Sequence, residues 1–194
     1  GFIVNHAGRG YGTEGFRILG EQIATPQVID GILRGTGEFP MGPFALTDLV
    51  GLDISQKVME SIYHQYYEED RFRPSTITKT RLAGGLLGKK TGQGFYDYTK
   101  EPSVEKETVL KALIHPLWID PTDSQKWEMV RSLLPEDVKV ESTEKPSDKA
   151  LCIVMPLGKD SSTEARRLGL DPKRTFAVDT FTDMTKSITL MATP

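Results

Sequence analysis

The 194-residue chain has one cysteine, Cys152. No intrachain disulfide can form, and a lone thiol points to a reducing compartment, the cytoplasm. Long apolar runs are missing too. The longest, ALCIVMPLG from Ala150, is far too short to span a bilayer, so no membrane partner is expected. Charge of one sign is not in excess: 24 Lys and Arg against 27 Asp and Glu leave a net charge of -3, with the signs interspersed. That removes the electrostatic case for nucleic acid. No signal peptide is visible and no metal site is expected. The initial methionine is missing, which points to a piece of a longer protein.

What is present divides into two halves. Up to about Tyr98 the signals are helical. Thr25-Pro26 reads as an N-cap followed by proline in the first turn, with Val28, Ile29, Ile32 and Leu33 as the apolar face, and Gly35 and Gly37 stop that helix. Gly42-Pro43 opens a short helix, PFALTDLV, that Gly51 ends. Asp53 is the expected N-cap of a longer one carrying Val58, Ile62 and Tyr66 at four-residue spacing. Ser75 caps TITKTRLA, and Gly84-Gly85 close it. GKKTGQGFYDY reads as a glycine-rich loop running into a short extended piece. From Thr99 to Glu107 the chain is polar, charged and contains proline, as a linker would be. Beyond it, VLKALIHPLWI, VKVES, KALCIVMPL, RTFAVDTF and SITLMAT read as strands, with SQKWEMVRSLL and STEARRLG as helices between them. Alternating strands and helices predict a small α/β sandwich. The expected fold is therefore an all-α helical domain over residues 1–100 followed by a small α/β domain over residues 108–194.

Near the start, Gly10-x-Gly12-x-x-Gly15 matches the pattern of a dinucleotide-binding loop. Such a loop needs a strand before it, a helix after it, and a second strand ending in an acidic residue about 20 residues on. Asp30 falls near that distance but sits inside a capped helix, and no second strand lies between Phe16 and Phe39. The stretch instead predicts a helix from Phe2 to Ile23, on which Asn5, Gly8, Gly12 and Gly15 share a face. Glycine costs about 1 kcal/mol relative to alanine inside a helix, so this face needs a compensating use. Close packing is one; a groove that lets a ligand run along the helix from Asn5 is the other.

Three stretches in order, GFIVNHAGRGYGTEGFRIL, GTGEFPMGPFALTDLVGLD and GKKTGQGFYDY, resemble the C-terminal helical domain of the 3-hydroxyacyl-CoA dehydrogenases. The second half, through RLGLDPKRTFAVDTF and ITLMATP, resembles the reduced Rossmann-like domain that follows in the longer bacterial 3-hydroxybutyryl-CoA-type enzymes. The resemblance implies NAD-linked oxidation of a 3-hydroxyacyl-CoA to a 3-ketoacyl-CoA in acyl-CoA degradation. It also implies an NAD-binding domain before Gly1, a second helical domain after Pro194, and a homodimer. The histidine base, its glutamate and an assisting serine belong to the preceding domain. His6, His64 and His115 therefore read as surface or packing residues.

The resemblance assigns roles to five residues. Asn5 matches the catalytic asparagine of the motif GF-(I/V)-V-N, whose amide donates to a substrate oxygen and orients the reacting carbon. Lys90 matches the second lysine of KKTG, which approaches NAD. Phe39, Met41 and Pro43, in FPMGPF, match the turn lining the acyl or pantetheine path; the same residues also build a helix start. Many relatives carry an arginine and large apolar residues after the asparagine, where this chain has His6, Ala7, Gly8, Arg9 and Gly10. That difference widens an acyl slot or accommodates a neighbouring domain. In the second half no glycine-rich loop follows any strand. After ALCIVMPL, Gly158 to Ser162 reads as a capped helix start with room for a phosphate near Ser161, in a domain that has lost cofactor binding. Trp118 and Trp127 read as core or domain-contact aromatics.

Overall fold

A computed structural model describes residues 3–100, 115–181 and 188–192. The chain divides into two compact units, Gly1–Glu105 and Lys106–Pro194. The first is helical and the second is a small α/β sheet domain.

Six α-helices are described in the first unit: α1 (Ile3–Ala7), α2 (Arg9–Gly20), α3 (Pro26–Gly35), α4 (Pro43–Val50), α5 (Leu52–Gln65) and α6 (Thr76–Ala83). The caps read from the sequence are in place. The Thr25 hydroxyl accepts from the Val28 amide, and that of Ser75 from the Ile77 amide. Two expectations change. The single helix from Phe2 to Ile23 is two, because the chain kinks at Gly8 (φ -87°, ψ 8°), where a short Tyr11 N–H to Gly8 carbonyl bond interrupts the α-helical ladder. Glycine lowers the cost of that kink because no side chain resists it. Asp53 is not a cap either. Gly51 occupies that position, and Asp53 sits in the first turn of α5 with its carboxylate turned to Lys90.

The core of this unit is aromatic. Phe16 from α2, Phe44 from α4 and Phe95 from the closing loop meet with ring centroids 4.9–5.6 Å apart, and Ile29, Leu52 and Met59 complete the cluster. The glycine face of α2 serves packing. A Cβ on Gly15 would lie 3.0 Å from Pro43, and one on Gly12 would lie 2.6 Å from the Arg9 guanidinium, which folds back over it. The Gly10-Gly12-Gly15 pattern thus lies within a helix and not in a loop that joins a strand to a helix, the setting a dinucleotide fingerprint needs.

The second unit is a five-stranded sheet in the order β2-β1-β3-β4-β5. Its strands are β1 (Leu117–Ile119), β2 (Val140–Glu141), β3 (Leu151–Val154), β4 (Thr175–Val178) and β5 (Leu190–Ala192), with α7 (Ser124–Ser132) and α8 (Ser161–Leu168) as crossovers. The first four strands are parallel and β5 is antiparallel to β4. The two-residue period sends Leu117, Ile119 and Ile153 to one face, with Val130 of α7, and Trp118 and Cys152 to the other. Trp118 is buried with its indole N–H on the Thr143 carbonyl, and Trp127 of α7 is half-buried, packed against the cluster of Leu117, Ile119 and Val130. The expected linker from Thr99 to Glu107 lies outside the described residues from position 101 on, as does the VLKALI half of the first strand-like run.

Candidate functional site

Asn5 stands on the short helix α1, which is tied to α5 by side chains. The His6 ring shares a 3.0 Å hydrogen bond with Gln65 Oε1, and the Tyr66 hydroxyl donates to the His6 carbonyl at 3.3 Å. Between the two helices opens a cavity of about 370 Å³. Asn5 and His6 form its α1 wall; Lys57, Ser61 and Gln65 of α5 add polar groups; Ile54, Val58 and Ile62 give it an apolar stripe. The stripe follows from four-residue spacing along one helix face.

Asp53 belongs to the same cavity and connects it to Lys90. The Lys90 ammonium donates to Asp53 Oδ1 at 2.6 Å, and that bond holds the Asp53 carboxyl below the ordinary aspartate range. Lys90 reaches Asp53 by lying across the start of α5. A side chain on Gly51 would block it: a Cβ there would be 2.2 Å from Lys90 Cε. Gly51 also has φ +93° and ψ 133°, a backbone region open to glycine alone.

Lys90 rides on a 3-10 turn, Lys89–Thr91, in a loop that is fastened from beneath by Asp48. Asp48 is 1% exposed, and its carboxylate accepts from the amides of Phe95 and Tyr96, both at 2.9 Å, and from the Tyr98 hydroxyl at 3.1 Å. Asp30 repeats the device. From inside α3 it accepts from the Phe44 and Ala45 amides at the start of α4, at 3.0 and 2.8 Å, and from the Tyr96 hydroxyl at 2.8 Å. Burial, with Asp30 and Asp48 as hydrogen-bonded neighbours, pushes the phenols of Tyr96 and Tyr98 well above the usual tyrosine range. Neither aspartate was marked as a loop fastener by its residue type. The signal available was indirect: Gly42-Pro43 starts a helix with no side chain able to cap it, so an acceptor had to come from elsewhere.

The structure therefore brings Asn5 and Lys90 to one cavity and its rim. Phe39, Met41 and Pro43 are placed differently. They gather at Tyr11 and α2: the Tyr11 hydroxyl donates to the Met41 carbonyl at 2.7 Å, the Tyr11 and Phe39 rings are 4.6 Å apart, and Pro43 is buried against Gly15. None of the three lines the Asn5 cavity. Gly8, Gly10, Gly12 and Gly15 do not line it either.

In the second unit, the start of α8 is occupied by its own cap. Asp160 accepts from the Thr163 amide at 2.7 Å and from its hydroxyl, and Ser161 donates to the Ala192 carbonyl of β5. That carboxylate stands where a phosphate would bind. Among the described residues no cluster of His, Cys, Asp and Glu could hold a metal ion, and no helix is long and apolar enough to cross a membrane.

Comparison with known proteins bears on the family and the fold. Residues 1–98 match the profile of the 3-hydroxyacyl-CoA dehydrogenase C-terminal domain. The chain is 48% identical over 101 residues to a 3-hydroxyadipyl-CoA dehydrogenase of Escherichia coli K12, covering 52% of this chain and 21% of that protein. It is 39% identical over 98 residues to a probable 3-hydroxybutyryl-CoA dehydrogenase of Deinococcus radiodurans, covering 50% of this chain and 35% of that one. The crystal structure of 3-hydroxybutyryl-CoA dehydrogenase from Escherichia coli K12 superposes on 98% of this chain with a TM-score of 0.66 at 33% identity, and the match takes in 35% of that chain. The chain thus spans between a fifth and about a third of the length of these relatives.

Proposed function

The chain belongs to the 3-hydroxyacyl-CoA dehydrogenases through their C-terminal domain, and from that premise we propose that it forms the substrate-side, dimerising part of an NAD-dependent enzyme that oxidises 3-hydroxyacyl-CoA to 3-ketoacyl-CoA. The base and the dinucleotide fold lie in a domain outside this chain, so the chain alone does not turn over. NAD supplies the hydride acceptor. What this chain adds is placement. The Asn5 amide donates to the substrate oxygen and holds the reacting carbon, an orienting and electrostatic role rather than proton transfer. Lys90 brings a positive charge to the cofactor side of the same cavity. Phe39 and Met41 border the acyl or pantetheine path, and Pro43 fixes the turn that carries them.

The observation that supports this reading is convergence. Asn5, from the first helix, and Asp53, which holds Lys90 from the last loop, line one cavity. A module that only assembled subunits would have no reason to collect an amide, an ion pair and an apolar stripe around one opening. Exposed Leu46, Leu49 and Val50 on α4 give the unit an apolar face for pairing with a second copy. Cytoplasmic acyl-CoA degradation is the setting that fits.

Asn5→Ala in the complete enzyme tests the reading. Loss of one preorganised donor at the reacting oxygen lowers kcat by about 100-fold, read as NADH absorbance. An unchanged rate would support the competing view, a non-catalytic assembly module.

A further inference from the structure

Building on the dehydrogenase reading above, we propose that Gln65 and Tyr66 are positioning residues for Asn5: their two bonds to His6 latch the short helix α1 against α5 and so fix where the Asn5 amide stands.

Helix α1 has little else to hold it. It is five residues long, none of them is buried, and Ile3 and Val4 are exposed. At its end the chain turns at Gly8, a corner that no side chain stiffens. Such an arm is placed by what its polar groups reach, not by a share in the core. Two side chains at the end of α5 meet it, both at His6. The Gln65 amide is set first. Its Nε2 donates to the Ser61 carbonyl at 3.1 Å and to the Ser61 hydroxyl at 3.0 Å, one turn back on the same helix. Oε1 is left facing α1, and the His6 ring donates to it from Nε2 at 3.0 Å. The Tyr66 ring stacks on Phe72 with centroids 4.4 Å apart, and its hydroxyl donates to the His6 carbonyl at 3.3 Å. That carbonyl lies in the last turn of α1, where a helix runs out of its own amide donors.

Asn5 is the chain neighbour of the latched residue, and both line the cavity. A displacement of His6 therefore passes to the Asn5 amide through one peptide unit. An orienting donor acts only where it meets the substrate oxygen, and a misplacement of about 1 Å can cost about 100-fold in rate. The latch serves the step that needs the amide in place, so its loss is read in kcat. Gln65 also lines the cavity. A direct contact with substrate would differ in its readout: it would raise KM, and its loss would count whether or not Asn5 is present.

The test uses the complete dehydrogenase with NADH and a four-carbon 3-ketoacyl-CoA, and reads kcat and KM separately. Gln65 is exposed on α5, so its replacement leaves the core alone. Gln65→Leu is expected to lower kcat by about tenfold with KM within about twofold of wild type. Gln65→Glu keeps an acceptor oxygen facing His6 and should stay within about threefold of wild type. Tyr66→Phe keeps the stack on Phe72, gives up the bond to the His6 carbonyl, and should cost about threefold in kcat. The deciding measurement is Gln65→Leu in an Asn5→Ala background. With no amide left to misplace, it should lower kcat by less than about twofold. A full tenfold loss in that background overturns the inference, because Gln65 then acts without Asn5. So does a loss in Gln65→Glu as large as in Gln65→Leu, or a change confined to KM. Asn5→Ala at the wild-type rate overturns the role given to Asn5 and this inference with it. A loss in Asn5→Ala with none in Gln65→Leu and Tyr66→Phe overturns this inference alone.

Discussion

Asp48 is the residue whose loss should damage the first unit most for its size. Its buried carboxylate holds two backbone amides and one phenol of the loop that carries Lys90, and among the described residues no cation pairs with it. Asp48→Ala leaves all three donors without their acceptor. Each hydrogen bond to an ionised group is worth about 1.5–3 kcal/mol. Part of that sum is returned because an unpaired buried charge is itself costly. The expected net loss is about 3–5 kcal/mol, a large share of the ~5–15 kcal/mol that stabilises a typical domain. In urea, with a slope of about 1.5 kcal/mol per M for a unit of this size, the midpoint falls by about 2–3 M. Two milder variants grade the effect: Tyr98→Phe removes one donor and costs about 1 kcal/mol, and Asp48→Asn keeps one acceptor oxygen and falls between. The assay is urea unfolding followed by circular dichroism at the helical band, since six of the eight described α-helices lie in the first unit. Trp118 and Trp127 both belong to the second unit, so their fluorescence reads that unit in the same titration. A midpoint for Asp48→Ala within about 0.5 M of wild type would refute the claim that this carboxylate fastens the loop.

Helical Gly31 has open space where a Cβ would go, so Gly31→Ala should stabilise by about 0.5–1 kcal/mol, whereas Gly42→Ala drives its Cβ into the Asp30 carboxylate and should lower the melting temperature. The Asp53 carboxyl is depressed by the Lys90 hydrogen bond, so the stability this pair adds is complete above the unfolded aspartate value of about 3.9 and disappears as pH falls through the lower folded value. Carboxyl-carbon NMR should show the Asp53 titration moving back up in Lys90→Met, and a titration that stays put would contradict the ion pair. Cys152 is buried, and that burial raises its thiol pKa. A thiol reagent should label it slowly in the native chain and at once in urea.

Most of the architecture was legible because it is written in local terms. Thr25, Ser75 and Gly51 mark helix ends through backbone chemistry that depends on neighbours in the sequence, and the β-branched runs of the second half declare strands. Asn5 and Lys90 are singled out only by resemblance, since an amide near a helix start and a lysine beside glycines have no chemical signature of their own. The misplaced features are those decided by contacts distant in the chain. Asp53 looks like an N-cap until Lys90 arrives from the last loop, and the helix from Phe2 looks continuous until α1 is tied to α5 by the Gln65 and Tyr66 bonds. Asp30 sits inside a capped helix, as the sequence indicates, and what it holds is the amide end of α4, which no local pattern announces.

Gly51 is constrained twice, once by its torsion and once by the room that Lys90 takes beside it. The two constraints are unequal under mutation. A lineage that replaces Lys90 recovers the room but not the torsion, so the glycine stays locked after its tenant has gone. The reverse order is closed, because any side chain at position 51 displaces the lysine at the same stroke. Divergence can therefore remove the charge in one step and the corner only after rebuilding it. Descendants that keep the glycine without the lysine would be silent records of an abandoned site.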